Sequence, residues 1–194
     1  MWLQKFKCLL LNIFGINKTT MKLIIGLGNP WTRYKNTRHN AWFIFLDKLR
    51  EEHNFEPWKF ESKFKAEISE WRYNWKKTFL LKPQTFMNLS GESIQKFCNF
   101  YKIQEEDWIV VYDDKDMDFA KVRFRDKGST WWHNWIKSII QYFWQEFKRI
   151  KIWIWYDSNY EVSDWVLGKF IEQELIDLDN EVYENVGRLL EENL

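Results

Sequence analysis

The stretch Lys22-Leu23-Ile24-Ile25-Gly26-Leu27-Gly28-Asn29-Pro30 decides the fold class. Its apolar run is short and ends on Gly28, Asn29 and Pro30, residues that punctuate turns, so it reads as a buried strand delivered to a loop. A polar run, Tyr34 to Asn40, follows, and then Ile44, Phe45, Leu46 and Leu49 mark one face of a helix whose Lys48, Arg50, Glu51 and Glu52 are solvated. Further out the alternation repeats. Lys77 to Leu81 reads as a strand, and Ile94, Phe97 and Tyr101 fall at helical spacing. Trp108 to Tyr112 is the most apolar strand and therefore central. Residues 121–125 alternate as a two-faced strand with basic side chains on one face. Ile136 to Phe147 is expected as a helix and Lys151 to Trp155 as another alternating strand. From Phe170 onward an acidic amphipathic helix or helix pair is expected, with Ile171, Leu175 and Leu178 as its apolar contacts. These elements predict a single α/β domain, a mixed and mostly parallel twisted sheet with helices on both faces.

The 194 residues suit one such domain over 21–194, with residues 1–20 expected to be an over-called start or a disordered extension. Lys5 and Lys7 before an apolar stretch weakly imitate a targeting signal, but Asn12 interrupts the stretch and no small-x-small site follows. No run reaches the roughly 20 apolar residues that span a bilayer. With 29 basic and 28 acidic residues the net charge is +1, so any nucleic-acid footprint must be a local patch. Cys8 and Cys98 match no metal or redox spacing, which points to a reducing cytosol.

Five blocks carry chemistry. Gly26-Leu27-Gly28-Asn29-Pro30-Trp31 approaches a dinucleotide fingerprint, but no helix opens after it and Asp47 lies mid-helix rather than at a strand tip. Thr37-Arg38-His39-Asn40 places a histidine in the polar turn after the first strand, at the carboxyl edge where α/β sheets put ligands. Lys82-Pro83-Gln84-Thr85-Phe86-Met87-Asn88-Leu89-Ser90-Gly91 again joins a strand to a helix. Ser90 suits a helix cap, while Phe86, Met87 and Asn88 in a loop resemble a binding lip. Asp113-Asp114-Lys115-Asp116 ends the central strand, and its carboxylates could hold a divalent cation or orient a histidine. Gly128-Ser129-Thr130-Trp131-Trp132-His133-Asn134-Trp135 has no clear meaning alone.

In this order and spacing the blocks resemble the bacterial peptidyl-tRNA hydrolase family, whose signatures are G-L-G-N-P-G-x-x-Y-x-x-T-R-H-N, K-P-x-T-x-M-N-x-S-G, a D-D-x-D strand tip and G-S-x-G-G-H-N-G. The likeness covers Met21 to about Leu194, and Val162 to Gly168 resembles the family's closing motif. It implies a cytoplasmic, monomeric, cofactor-free and metal-independent esterase that frees peptides from tRNA. His39 would be the general base, Asp113 its orienting carboxylate, and Asn29, Asn88 and Asn134 the amides that meet the peptide, the ester and the terminal ribose. Tyr34, Phe86 and Met87 join Asn88 and Asn134 at the tRNA end. Arg123, Arg125 and Lys151 are the expected phosphate contacts, on residue pattern as much as on resemblance. Inactive relatives that serve as RNA-splicing adaptors supply the alternative: a binding module on the same fold.

One composition figure is abnormal. Fourteen tryptophans accompany seven glycines, where glycine at about 7% of a chain would be roughly twice as frequent. Trp31, Trp42, Trp131, Trp132, Trp135, Trp144, Trp153 and Trp155, with Trp75, fall where the family pattern has glycine. UGA encodes glycine in a few bacterial lineages and tryptophan in other translation tables, so these positions are expected to be glycine in the natural protein. Tryptophan there should overpack, or strain turns that need φ > 0.

Overall fold

The computed structural model describes residues 21–73, 76–113, 122–127, 134–143, 147–152 and 161–193. The expectations for residues 1–20, and for Trp75, Trp131, Trp132, Trp144, Trp153 and Trp155, lie outside the described residues.

Among the described residues seven strands form one sheet in the order β2-β3-β4-β1-β5-β7-β6. They are β1 (Lys22–Gly26), β2 (Lys59–Glu61), β3 (Ala66–Tyr73), β4 (Lys76–Pro83), β5 (Trp108–Asp113), β6 (Val122–Arg125) and β7 (Lys148–Ile152). The central pairings β4–β1, β1–β5 and β5–β7 are parallel, whereas β2–β3, β3–β4 and β6–β7 are antiparallel. The parallel centre is apolar on both faces: Leu23, Ile25, Phe79, Leu80, Leu81 and all of β5 are buried. Burying each such side chain contributes roughly 1.5–3 kcal/mol. The β2–β3 hairpin is an addition to the sequence-based elements. Glu67, Glu70 and Arg72 are scattered over both faces of β3 and break the alternation that would mark it, although Ala66, Ile68 and Ser69 are buried.

Helix α1 (Ala41–Glu52) links β1 to β4 in one direction, and α2 (Ser90–Tyr101) links β4 back across β1 to β5. Right-handed crossovers running in opposite directions place their helices on opposite faces. On the first face α1 presses Leu46 against Gly26, where an added Cβ would lie 2.8 Å from the leucine Cδ1. On the second, α2 packs with α3 (Asn134–Phe143) at Gly91, where an added Cβ would lie 2.1 Å from the Ser138 carbonyl oxygen. Ser90 is buried in the first turn of α2, so Leu89 holds the N-cap position instead.

Helix α3 is described to Phe143, and Phe147 stacks on Trp108 at 5.0 Å immediately before β7 begins. Strand β7 thus starts three residues before the expected Lys151. Arg149 conceals that start, because it is charged yet 1% exposed. The C-terminal region comprises α4 (Val162–Leu167), α5 (Glu172–Asp177), a π-helical turn Leu178–Tyr183 and α6 (Glu184–Asn193). Of its three expected apolar contacts Leu178 is buried, but Ile171 and Leu175 are exposed. Tyr183 is the anchor, packed on Phe45 at 5.0 Å and donating its hydroxyl to the Ala41 carbonyl at 2.9 Å. Among the described residues no helix is long and apolar enough to cross a membrane.

Candidate active site

The crossover from β1 leads to β4 on one side, and the chain leaves β5 towards β7 on the other. Strands diverging in this way open a crevice at their carboxyl ends. Asp113 is the last residue of β5, and the loop after β1 carries Asn29 and His39 into the same region. His39 sits in a 3₁₀ turn, Arg38–Asn40, all three residues of which are buried. Its Nδ1 lies 2.8 Å from Asp113 Oδ2. An ionised carboxylate only accepts, so Nδ1–H donates and the Nε2 lone pair is left for a substrate proton. The helix that would complete a dinucleotide site is absent here; Thr32–Tyr34 forms a 3₁₀ turn instead.

Asn29 is buried and held by its backbone. Its N–H donates to Asn40 Oδ1 at 2.7 Å, and its carbonyl accepts from Asn40 Nδ2 at 2.9 Å. Arg38 forms three hydrogen bonds of 2.8–3.0 Å to the Glu174 carboxylate and stacks on Trp165 at 4.0 Å. Sequence reasoning assigned no role to Arg38, Asn40 or Glu174. Arg38 and Asn40 flank the histidine, and their place in one polar run was the available signal.

The loop after β4 forms the other wall. Phe86 is 60% exposed, and its ring lies 4.9 Å from that of Trp31, which in turn meets half-buried Tyr34 edge-on at 6.1 Å. With Pro30, Thr85 and Leu89 the rings of Trp31 and Phe86 line a cleft of about 360 Å³. Asn88 is exposed, and its backbone carbonyl accepts the Ser138 hydroxyl at 2.9 Å, which ties this lip to α3. Met87 and Asn134 are placed by backbone alone, Met87 in a 3₁₀ turn and Asn134 as the first residue of α3. Lys82 of the same block is buried, bonded to Asp47 and set over Trp58 at 4.2 Å. Burial pushes its ammonium pKa down, while the Asp47 bond opposes the shift.

Among the basic candidates, Arg123 and Lys151 are direct cross-strand partners, and Tyr112 is the β5 partner of Lys151. Arg123 and Arg125 are exposed and Lys151 is half-buried. Arg149, in register with Arg125, is buried against Phe147 at 4.1 Å and turned away from solvent. Burial lowers its guanidinium pKa, and the electrostatic interaction with Tyr112 opposes the shift.

Trp135 is fully buried and its indole lies on the His39 imidazole, centroids 4.2 Å apart and planes 22° from parallel. Trp42 is likewise fully buried, beside Phe45 and Tyr183. The expected left-handed backbone is not found at the described tryptophans. Trp31 has φ of −80°, Trp42 and Trp135 are helical, and the described non-glycine residues with positive φ are Asn54, Lys65 and Lys102.

An α/β sheet with a histidine–carboxylate pair at its carboxyl edge defines a hydrolase-type site, and comparison with known proteins names the family. The peptidyl-tRNA hydrolase family model matches residues 23–194. A peptidyl-tRNA hydrolase of Fusobacterium nucleatum is 45% identical over 175 residues, covering 90% of each chain. One from Listeria welshimeri is 46% identical over 81% of this chain and 85% of its own. A crystal structure of a peptidyl-tRNA hydrolase mutant from Acinetobacter baumannii superposes with a TM-score of 0.75 at 33% identity, over 84% of this chain and 83% of that one. The chain belongs to the peptidyl-tRNA hydrolase family.

Proposed function

We propose that this chain hydrolyses the ester between a peptide, or another N-blocked aminoacyl group, and the 3′ end of tRNA, as a cytoplasmic monomer. The observation that carries the reading is the buried 2.8 Å bond from His39 Nδ1 to Asp113 Oδ2 at the sheet's carboxyl edge. His39 Nε2 takes a proton from water as the oxygen attacks the ester carbonyl carbon. Amide donors from Asn29, Asn88 and Asn134 stabilise the developing oxyanion and hold the peptide and ribose; a single such donor is typically worth about 3–4 kcal/mol. The tetrahedral intermediate collapses, the ester C–O bond breaks, and the imidazolium returns its proton to the departing 3′ oxygen. The exposed ring of Phe86 stacks on the terminal base, with Tyr34 and Met87 beside it. Arg123, Arg125 and Lys151 take the backbone phosphates.

The test is turnover of N-acetyl-aminoacyl-tRNA by the wild type and by His39→Ala. The substitution should remove nearly all hydrolysis and leave tRNA binding in place. A mutant rate above about a tenth of wild type would lie below the usual general-base contribution of roughly 10²–10⁴ and would overturn the assignment.

One observation favours a second reading, an RNA-binding adaptor without turnover: the Trp135 indole covers one face of the imidazole. Tight tRNA binding with no hydrolysis by the wild-type chain would select it.

A further inference from the structure

His39 is held from both flanks by the last third of the chain. On one side the Arg38 N–H donates to the Gly168 carbonyl at 3.0 Å, the Phe170 N–H donates to the Asn36 carbonyl at 3.1 Å, and Thr37 forms a β-bridge with Lys169. On the other, the Tyr183 hydroxyl bonds the Ala41 carbonyl. Between them lies the buried Arg38–Glu174 pair, 7% and 8% exposed. Glu174 does two tasks, because its Oε2 also accepts the Ile171 N–H at 2.9 Å and so caps α5. The 3₁₀ turn itself has no side-chain cap of its own. Its orientation therefore depends on these long-range contacts.

We infer that the segment Trp165–Tyr183 is a splint for the catalytic turn, with Arg38 and Glu174 as positioning residues that set the His39 imidazole on the Asp113 carboxylate. This rests on His39 acting as the base. A planar guanidinium bonded to both carboxylate oxygens resists rotation as well as separation, which a point charge would not. Arg38 and His39 are adjacent in the chain, so a shift of the guanidinium moves the imidazole. A misplacement of about 1 Å can cost about 10²-fold in rate.

Replacing a buried ion pair by apolar residues of similar volume is often neutral for stability, which separates positioning from mere scaffolding. The variant Arg38→Met with Glu174→Leu is therefore compared with the wild type and with Ile103→Ala, a core truncation away from the site. Two readouts are taken: kcat and KM on N-acetyl-aminoacyl-tRNA, and the low-field Nδ1 proton resonance of His39, assigned by its loss in His39→Ala. The paired variant should lose at least about tenfold in kcat with KM within about twofold, and its resonance should broaden or vanish. Ile103→Ala should keep both. Glu174→Gln, which preserves volume, should show the same loss in milder form and serves if the paired variant does not fold. A wild-type kcat and an unchanged resonance in either Glu174 variant would overturn the splint. An inactive wild type would count against His39 as the base, and the resonance would still decide whether the splint seats its ring.

Discussion

The Asn40 side-chain amide closes a ring with the Asn29 backbone, accepting the N–H at 2.7 Å and donating to the carbonyl at 2.9 Å. Asn40 follows His39 directly, so one side chain ties the end of the loop that carries the candidate base to its start, which carries the candidate oxyanion amide. Asn40→Ala should leave two buried backbone groups unpaired, at about 1–3 kcal/mol for each. The expected result is a fall in kcat of about tenfold or more, because the two ends of this loop, at Asn29 and at the His39 turn, separate. Steady-state kinetics with a parallel urea titration checks this; a variant that is less stable but fully active would remove Asn40 from the site.

Salt dependence distinguishes phosphate contacts from an ordinary solvated strand face. Arg123→Ala, Arg125→Ala and Lys151→Ala should each weaken tRNA binding and make log K less steep in log[salt] by roughly one unit, since each lost contact releases one fewer counterion. Cleavage of a minimal substrate without the tRNA body should stay close to wild type. Identical slopes in all three variants would return these residues to a structural role.

Alkaline stability follows from two buried acids. Burial, with Asp179 adding, raises the Tyr183 phenol above its ordinary value of 10.0, and burial, with Glu105 adding, raises the Cys98 thiol above 9.0. Both folded-state values are raised, so the folded chain keeps these protons while the unfolded chain releases them. The stability they contribute is complete below about pH 9 and is lost as pH rises further. Lys82 acts in the opposite sense, because its depressed folded value favours the native state as pH rises towards 10.5. Urea midpoints should fall between pH 9 and 11, less steeply in Tyr183→Phe. Parallel slopes for the two proteins would contradict the Tyr183 contribution.

The tryptophans at expected glycine positions make a separate test. Trp42 is accommodated in the core with its indole N–H lacking a hydrogen-bond partner among the described residues, at a cost of about 1–3 kcal/mol. Trp135 covers the candidate base. Trp135→Gly should raise turnover by about tenfold or more as water gains the imidazole, within the range that general-base catalysis supplies. The joint replacement of Trp31, Trp42, Trp131, Trp132, Trp135, Trp144, Trp153 and Trp155 by glycine should fold and cleave at least as well. UGG codons at these positions, or no gain from Trp135→Gly, would rule the glycine reading out.

The sequence by itself determined the class of fold and the blocks from which the site is assembled. Short apolar runs ending on Gly, Asn and Pro specify buried strands and the loops beyond them, and periodicity reports local burial directly. It placed Asn29, His39, Phe86 and Asp113 at strand ends for that reason. Tertiary structure decided what those loops meet. His39 finds Asp113 across 74 positions and Arg38 finds Glu174 across 136, distances over which no local pattern carries information. Charged residues that are buried mislead in the same way. Nothing in the sequence marks Arg149, Arg38 and Glu174 as buried, because burial of a charge becomes tolerable only when a partner from elsewhere in the chain satisfies it. Conversely, Ile171 and Leu175 read as core yet are exposed, because Tyr183 rather than their face of the helix reaches α1.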